Sequence, residues 1–271
     1  MKREFGIKMI PFVESVKKIE QQYRTGEEPV LVMCSDRKNY VCKYIRTSYA
    51  SYKLSCELIG SIMAKAWTFP TPQVAFVNIK QEHWYGKNLN YSLSAPAFGS
   101  QFIEKVGDVT PSTYNEITPS ASVLQQLMQI ALFDFWIANE DRNSNNANLI
   151  YDVDLGRLIA IDFGCILNTA TFDYPLSHLT STDTILCSDL FRHIVNGVER
   201  KLTDGIIHDL QKEYLTYLNN SSKQISCILE AMPQQWNISD AIIREKLIQL
   251  FDPAWKTGVW DNFMECLKEN M

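Results

Sequence analysis

Asn139-Glu140-Asp141-Arg142-Asn143-Ser144-Asn145-Asn146-Ala147-Asn148, followed by Leu149-Ile150-Tyr151 and then by Leu158-Ile159-Ala160-Ile161-Asp162-Phe163-Gly164, is the stretch whose reading decides the fold. A polar, Asn-rich loop separates an apolar helical face from two short β-rich runs. The second run ends on Asp162, where Gly164 lets the backbone turn sharply. Two aspartates 21 residues apart therefore each stand at the mouth of an apolar element.

Upstream, Leu124, Met128, Ala131, Leu132 and Phe135 recur at helical spacing, and Ser122-Val123-Leu124-Gln125 fits a capping box at the head of that helix. Phe135 and Trp136 read as core. Earlier, Pro29–Cys34 and Tyr40–Ile45 are β-rich runs joined by the polar Ser35-Asp36-Arg37-Lys38-Asn39, which predicts a hairpin with Lys43 inside its second strand. Between Tyr49 and Trp67, Leu54, Leu58, Ile62 and Ala66 fall every fourth residue, an amphipathic helix with Glu57 at the edge of its apolar stripe. Pro70 and Pro72 stop it. Gln73–Ile79 and Ala97–Glu104 read as strands, Trp84–Pro96 as an irregular edge, and residues 12–23, with Phe12, Val16, Ile19 and Tyr23, as a helix closed by Thr25-Gly26. Periodicity is lost from Val106 to Pro119, and helical patterns follow near 183–196, 203–218, 222–231, 239–250 and 261–270. The expected fold is α+β in two lobes: an antiparallel-sheet N-lobe over residues 1–105 and a mainly helical C-lobe over 106–271.

These residues suit phosphoryl transfer, which demands positioning more than covalent help: a cation on the nucleotide phosphates, oxygen ligands for a metal, and a carboxylate facing the acceptor. Asp141 is the candidate base or acceptor-orienting group. Asp162 is the candidate ligand for magnesium, which favours hard oxygen donors. The remaining ligand is Asn146 or Asn148. Asn146 follows Asp141 by five residues, the spacing of the H-R-D-x-x-x-x-N pattern, whereas Asn148 directly precedes a strand; spacing carries slightly more weight. Lys43 within a strand is costly to bury without an anion, and Glu57 on the next helix is the natural partner. Phe102-Ile103-Glu104 would offer backbone groups to an adenine ring, and Ser35 with nearby amides would cover phosphates. Arg142 pairs with a carboxylate or phosphate, or is a plain surface arginine. Taken singly, each residue has a commoner structural reading; the ordered set points to chemistry.

Composition narrows the classes. A net charge of −5 with mixed signs leaves no basic stripe for nucleic acid. Seven scattered cysteines without a C-x-x-C pair argue against a disulfide framework or a zinc cluster. Four widely spaced histidines form no ligand pattern. No run suits a bilayer core, and Lys8 and Pro11 interrupt the first apolar stretch before it reaches leader length. The expectation is a soluble, cytoplasmic protein without membrane or nucleic-acid partners.

Tyr40-Val41-Cys42-Lys43, the helix carrying Glu57, Thr68-Phe69-Pro70-Thr71-Pro72, Gly99–Glu104, Trp136–Asn143 and Ile161-Asp162-Phe163-Gly164 stand in one order over residues 30–167. In that order the chain resembles the HipA-like kinases, relatives of the bacterial toxin–antitoxin Ser/Thr kinases within the protein-kinase and phosphoinositide-kinase fold. The resemblance implies that fold, ATP and Mg2+ as cofactors, a hydroxyl acceptor with Ser or Thr of a protein favoured, and an antitoxin or regulatory protein as a partner to look for. Small-molecule or lipid kinase activity, and nucleotide binding without turnover, stay open. Three departures stand out: the 35–39 turn has no glycine, Asn139 replaces the His of H-R-D, and no Ala-Pro-Glu segment follows Gly164.

Overall fold

The switch of hydrophobic period after Pro29 produces the expected hairpin, β3 (Val30–Met33) against β4 (Asn39–Lys43), with Val30 paired to Cys42 and Leu31 to Val41. The computed structural model describes residues 10–46, 48–84 and 94–271, the side chains of 48–50 excepted. Most of the Trp84–Pro96 reading, over 85–93, and the leader reading of residues 1–9 lie outside the described residues. With β1 (Phe12–Glu14), β2 (Gln21–Gln22), β5 (Val74–Asn78) and β6 (Ala97–Gln101), the hairpin forms a six-stranded sheet in the order β1-β5-β6-β4-β3-β2. It is antiparallel throughout except where β1 runs parallel to β5.

Residues 12–23 are therefore two short strands and an extended link, not the expected helix. Val13 and Ser15 are buried, while Phe12 and Val16 are exposed. Pairing of Phe12, Val13 and Glu14 with Phe76, Val77 and Asn78 outweighs a helical periodicity that rested on four residues. The strand expected over 97–104 ends at Gln101, so Phe102–Glu104 leave the sheet as an irregular connection.

Alternation gives the sheet two unlike faces. Val13, Val30, Val32, Tyr40, Cys42, Ala75, Val77 and Ala97 form a satellite core on one side. The other side carries Phe76 and Phe98 into the main core beneath α1 (Ser48–Ala66), and continues through half-buried Leu31, Met33, Val41 and Lys43.

The second lobe is built on α2 (Ala121–Ile137), in which every residue from Leu127 to Ile137 is buried. Its cap is Ser120, whose hydroxyl accepts from the Val123 N–H at 3.2 Å, two residues before the expected box. A left-handed Ala138 ends it. After α2, β8 (Leu149–Asp152) and β9 (Arg157–Ala160) form a hairpin edged by β7 (Gly107–Asp108). The short segment α3 (Ile166–Ala170) precedes α4 (Asp189–Asn196), α5 (Arg200–Ser222), α6 (Ile225–Ala231), α7 (Asp240–Gln249) and α8 (Pro253–Asn270). The last helix starts eight residues before its apolar pattern suggests, because Asp252 caps it and Pro253 occupies its first turn. No helix among the described residues is long and apolar enough to cross a membrane. The whole is a mixed α/β, two-lobed, kinase-like fold.

Tryptophans lock the helices together. Trp136 stacks on Trp67 at 5.4 Å, donates to the Leu250 carbonyl at 2.9 Å, and its own carbonyl accepts from the Trp255 indole at 3.0 Å. Trp236 ties the lobes by donating to the Pro96 carbonyl at 2.8 Å and meeting Phe76 edge-on. Trp136→Ala removes a wholly buried side chain and orphans a buried carbonyl, so chemical denaturation should show a loss of about 3–5 kcal/mol.

Candidate active site

Lys43 ends β4 on the cleft side of the sheet, and α1 crosses beneath it. Apolar residues decide which face of α1 turns inward: Leu54, Leu58, Ile59, Ile62 and Met63 are buried, and Glu57 is carried inward with them. Lys43 Nζ donates to Glu57 Oε1 at 2.5 Å and to Asp162 Oδ1 at 2.7 Å, and lies 2.9 Å from Glu27 Oε2. The Lys43 side chain is 14% exposed and that of Glu57 only 4%. Glu57 also accepts the Phe163 N–H at 3.0 Å, and Asp162 accepts the Gly164 N–H at 3.3 Å. Strand lysine, helix glutamate and the Asp-Phe-Gly segment are thus one hydrogen-bonded unit.

Three carboxyl groups surround the Lys43 ammonium, and one of them, Glu27, is shared with Lys53 at 2.9 Å. Burial, with the Asp162 charge beside it, pushes the Glu57 carboxyl up to about 8 against the pull of Lys43. Burial acts the same way on Asp162, but the Lys43 charge and the hydrogen bonds to its carboxylate prevail and hold it down to about 2. Burial disfavours the Lys43 ammonium, yet Glu57, Asp162 and Glu27 raise it well above an ordinary lysine. These partners keep the lysine ionised.

The Asp141 loop hangs from a second buried network that the sequence pattern did not reveal. Asp134, on the last turn of α2, is 1% exposed; its Oδ1 accepts from Arg142 Nη1 at 2.5 Å and from Asn139 Nδ2 at 2.9 Å. Arg142 is fully buried, donates through Nη2 to the Ile161 carbonyl at 2.8 Å and sits 5.2 Å from the Phe163 ring centre. It is a structural clamp joining the Asp141 loop to the residue before Asp162. Asn139 orients the same loop, its Oδ1 accepting the Asp141 N–H at 3.4 Å. Burial pushes the Asp134 carboxyl up despite both partners.

Both candidate asparagines reach Asp141. Asn146 Nδ2 donates to Asp141 Oδ2 at 3.0 Å and Asn148 Nδ2 to the same oxygen at 2.9 Å. Asn148 is also adjacent to the other aspartate: Leu149 pairs with Ala160, and the Asn148 carbonyl accepts the Ile161 N–H at 3.0 Å. Asn148 and Asp162 are both left-handed, at φ of 46° and 56°. Glu140 braces the segment after Gly164, accepting from Asn168 Nδ2 at 2.8 Å and from the Thr169 hydroxyl at 2.5 Å. That segment needs bracing, since Leu167, Asn168, Thr169 and Ala170 are all left-handed.

Ser35 is not brought to this cluster. Its turn lies at the Asn39 end of β4 and Lys43 at the other, about 13 Å of strand apart; its hydroxyl instead accepts the Glu14 N–H at 3.2 Å. The loop that does reach Lys43 is 23–29, between β2 and β3, through Glu27. Phe102 makes one last contact with the start of β4 as the chain leaves the sheet, its N–H donating to the Asn39 carbonyl at 2.8 Å, with Ile103 and Glu104 continuing from it. A separate groove of about 960 Å3, between Leu176, His178, α7 and the start of α8, contains none of these residues.

One glycine makes the unit possible. A Cβ on Gly60 would lie 2.3 Å from the Phe163 Cβ, so α1 and the Asp-Phe-Gly segment meet only because position 60 has no side chain. Gly60→Ala should destabilise the protein by about 1–3 kcal/mol in denaturant titrations. Gly205→Ala, on an exposed face of α5 with nothing within 4 Å, should leave stability unchanged or raise it.

No curated protein matches the chain. A family model described as HipA-like kinase matches residues 16–253, a span that includes Glu27, Lys43, Glu57, the Asp141 loop and Asp162. With a match over most of its 271 residues, the chain belongs to the HipA-like kinase family, and that membership supports a kinase function for it.

Proposed function

We propose that the protein transfers the γ-phosphoryl group of ATP, with Mg2+, to a hydroxyl, and that Ser or Thr of a protein is the favoured acceptor. The observation that carries this reading is the convergence of Lys43, Glu57 and Asp162 within 2.5–2.7 Å. In this reading Lys43 holds nucleotide phosphate and Glu57 fixes the lysine. The half-buried face of Leu31, Met33 and Val41, on the same side of the sheet as Lys43, seats the base, while Phe102–Glu104 offer it backbone hydrogen bonds. The lobe boundary then falls where the chain passes from β6 to β7, close to residue 105.

The donor chemistry suits magnesium: the Asp162 carboxylate, held ionised beside Lys43, and an asparagine amide oxygen are hard ligands. Bound there, the ion supplies charge neutralisation to the phosphates. The amide NH2 groups of Asn146 and Asn148 both point at Asp141, which turns their oxygens away from it. The β8–β9 register supports Asn148 as the ligand, and leaves Asn146 as the residue that orients Asp141. With Oδ2 of Asp141 held by two amides, Oδ1 meets the acceptor hydroxyl and takes its proton as the phosphoryl group moves.

Asp162→Asn should lower magnesium-dependent transfer from γ-labelled ATP by about a thousandfold with the fold retained in thermal melts. Asn148→Ala should raise the magnesium concentration for half-maximal turnover about tenfold and Asn146→Ala much less; the reverse order would assign Asn146. Unchanged transfer by Asp162→Asn sinks the assignment. Nucleotide binding by the wild type without any transfer would instead make the protein a binding module.

A further inference from the structure

Lys43 is not the only ammonium group at the phosphate end of the cleft. Lys53 lies on α1 one turn before Glu57, on the same helical face. Glu27 joins the two lysines: its Oε2 is 2.9 Å from Lys43 Nζ and its Oε1 is 2.9 Å from Lys53 Nζ. One carboxylate thus spans two cations, one oxygen to each, in the manner of a bridging phosphate. The Glu27 carboxyl is itself partly buried, and although burial pushes it up, the two lysines hold it below the ordinary glutamate range. Glu27 comes from the 23–29 loop, whose ends are tied by the Tyr23 N–H to the Pro29 carbonyl at 2.9 Å. Only that closed loop intervenes between β2 and β3, so the carboxylate can leave without disturbing the sheet pairing on either side.

Lys43 retains Glu57 and Asp162 when Glu27 is removed, so the lysine does not depend on the loop for its partners. Lys53 pairs with Glu27 at 2.9 Å, and Glu27 is the carboxylate the two lysines share. The loop carboxylate is therefore the removable member of the cluster.

We propose that Lys43 and Lys53 form a two-point clamp for the phosphate chain of a nucleoside triphosphate, and that Glu27 is an internal stand-in that fills the clamp until phosphate displaces it. The proposal rests on the nucleotide reading of the site and adds to it a second phosphate-binding residue and a built-in competitor. A competitor on the same chain lowers the apparent affinity by the fraction of molecules whose site is open, so removing it should tighten binding with no new contact to the ligand. The expected order of affinity is Glu27→Gln above wild type, and wild type above Lys53→Met.

The test is calorimetric titration of the full chain with Mg·ATP, Mg·ADP and AMP, in the wild type, Glu27→Gln, Lys53→Met, Lys53→Arg and Lys43→Met, with thermal melts to confirm folding. Glu27→Gln should tighten Mg·ATP about tenfold, and Lys53→Met should weaken it by a similar factor while Lys53→Arg stays near wild type. AMP, too short to span both lysines, should respond to neither change by more than about twofold. Weaker or unchanged Mg·ATP binding by folded Glu27→Gln overturns the stand-in, and unchanged binding by Lys53→Met overturns the clamp. If Lys43→Met abolishes binding while the Glu27 and Lys53 variants match wild type, the nucleotide reading stands and this proposal falls. If the wild type and Glu27→Gln bind no nucleotide at all, both fall together. Should Glu27→Gln not fold, Lys53→Met against Lys53→Arg decides the clamp.

Discussion

The contact between Lys43 and Glu57 is the constraint on which the rest of the cleft depends. It fixes the end of β4 to the middle of α1, and the same two side chains hold Asp162 and the Phe163 N–H. Such a contact does not pay for itself: desolvating two charges costs several kcal/mol, and an ion pair in a buried setting is weak evidence of net stability. The apolar residues of α1 supply the free energy, since Leu54, Leu58, Ile59, Ile62 and Met63 are all buried in the core shared with α2 and the aromatic cluster. The core therefore holds the charges in place, and the charges define the site. Gly60 completes the arrangement by letting Phe163 come within a distance no side chain would permit.

A second buried pair does the same for the opposite wall. Arg142 and Asp134 are both within 1% of full burial, and they join the end of α2, the Asp141 loop and the Ile161 carbonyl. Asn139, standing where many kinases carry a histidine, is part of this network: one end of its amide meets Asp134 and the other the Asp141 N–H. Its role here is orientation of the loop, a task an amide performs as well as an imidazole. That departure therefore leaves the placement of Asp141 intact. The glycine-free 35–39 turn lies at the far end of β4 from Lys43, and the loop that reaches Lys43 is 23–29.

What could be read from the chain depended on whether the signal was local. Lys43 and Glu57 announced themselves as charges set within apolar patterns, and Asp141 and Asp162 as carboxylates at the ends of such patterns; local sequence carries that information. The 12–23 segment misled because four apolar residues at helical spacing weigh less than pairing with a strand more than sixty residues away. Glu27, Asp134 and Lys53 were invisible for a related reason. Each is an ordinary charged residue until the tertiary fold delivers its partner, and nothing in the neighbouring sequence marks it. The expectation for Ser35 rests on the turn before the lysine strand lying over the cleft. The strand order puts this turn at the far end of β4 from Lys43, and the β2–β3 loop is the one that reaches Lys43, through Glu27.

The β8–β9 hairpin sets a difference between the two asparagines that spacing along the loop does not show. Counting from Asp141 measures distance along a loop, whereas nearness to Asp162 is set by the pairing of β8 with β9. Leu149 opposite Ala160 makes Asn148 the neighbour of Ile161, and the bond from the Ile161 N–H to the Asn148 carbonyl fixes that neighbour relation in the backbone. Asn148 and Asp162 then both adopt left-handed conformations, a cost of about 1–2 kcal/mol for a residue with a Cβ, less for Asn and Asp. Two such residues at the two ends of one hairpin indicate that the pairing imposes their geometry. The register of a four-residue ladder thus carries the positional information that the loop count lacks, and it links Asp141 to Asp162 through a residue whose side chain touches the first and whose backbone adjoins the second.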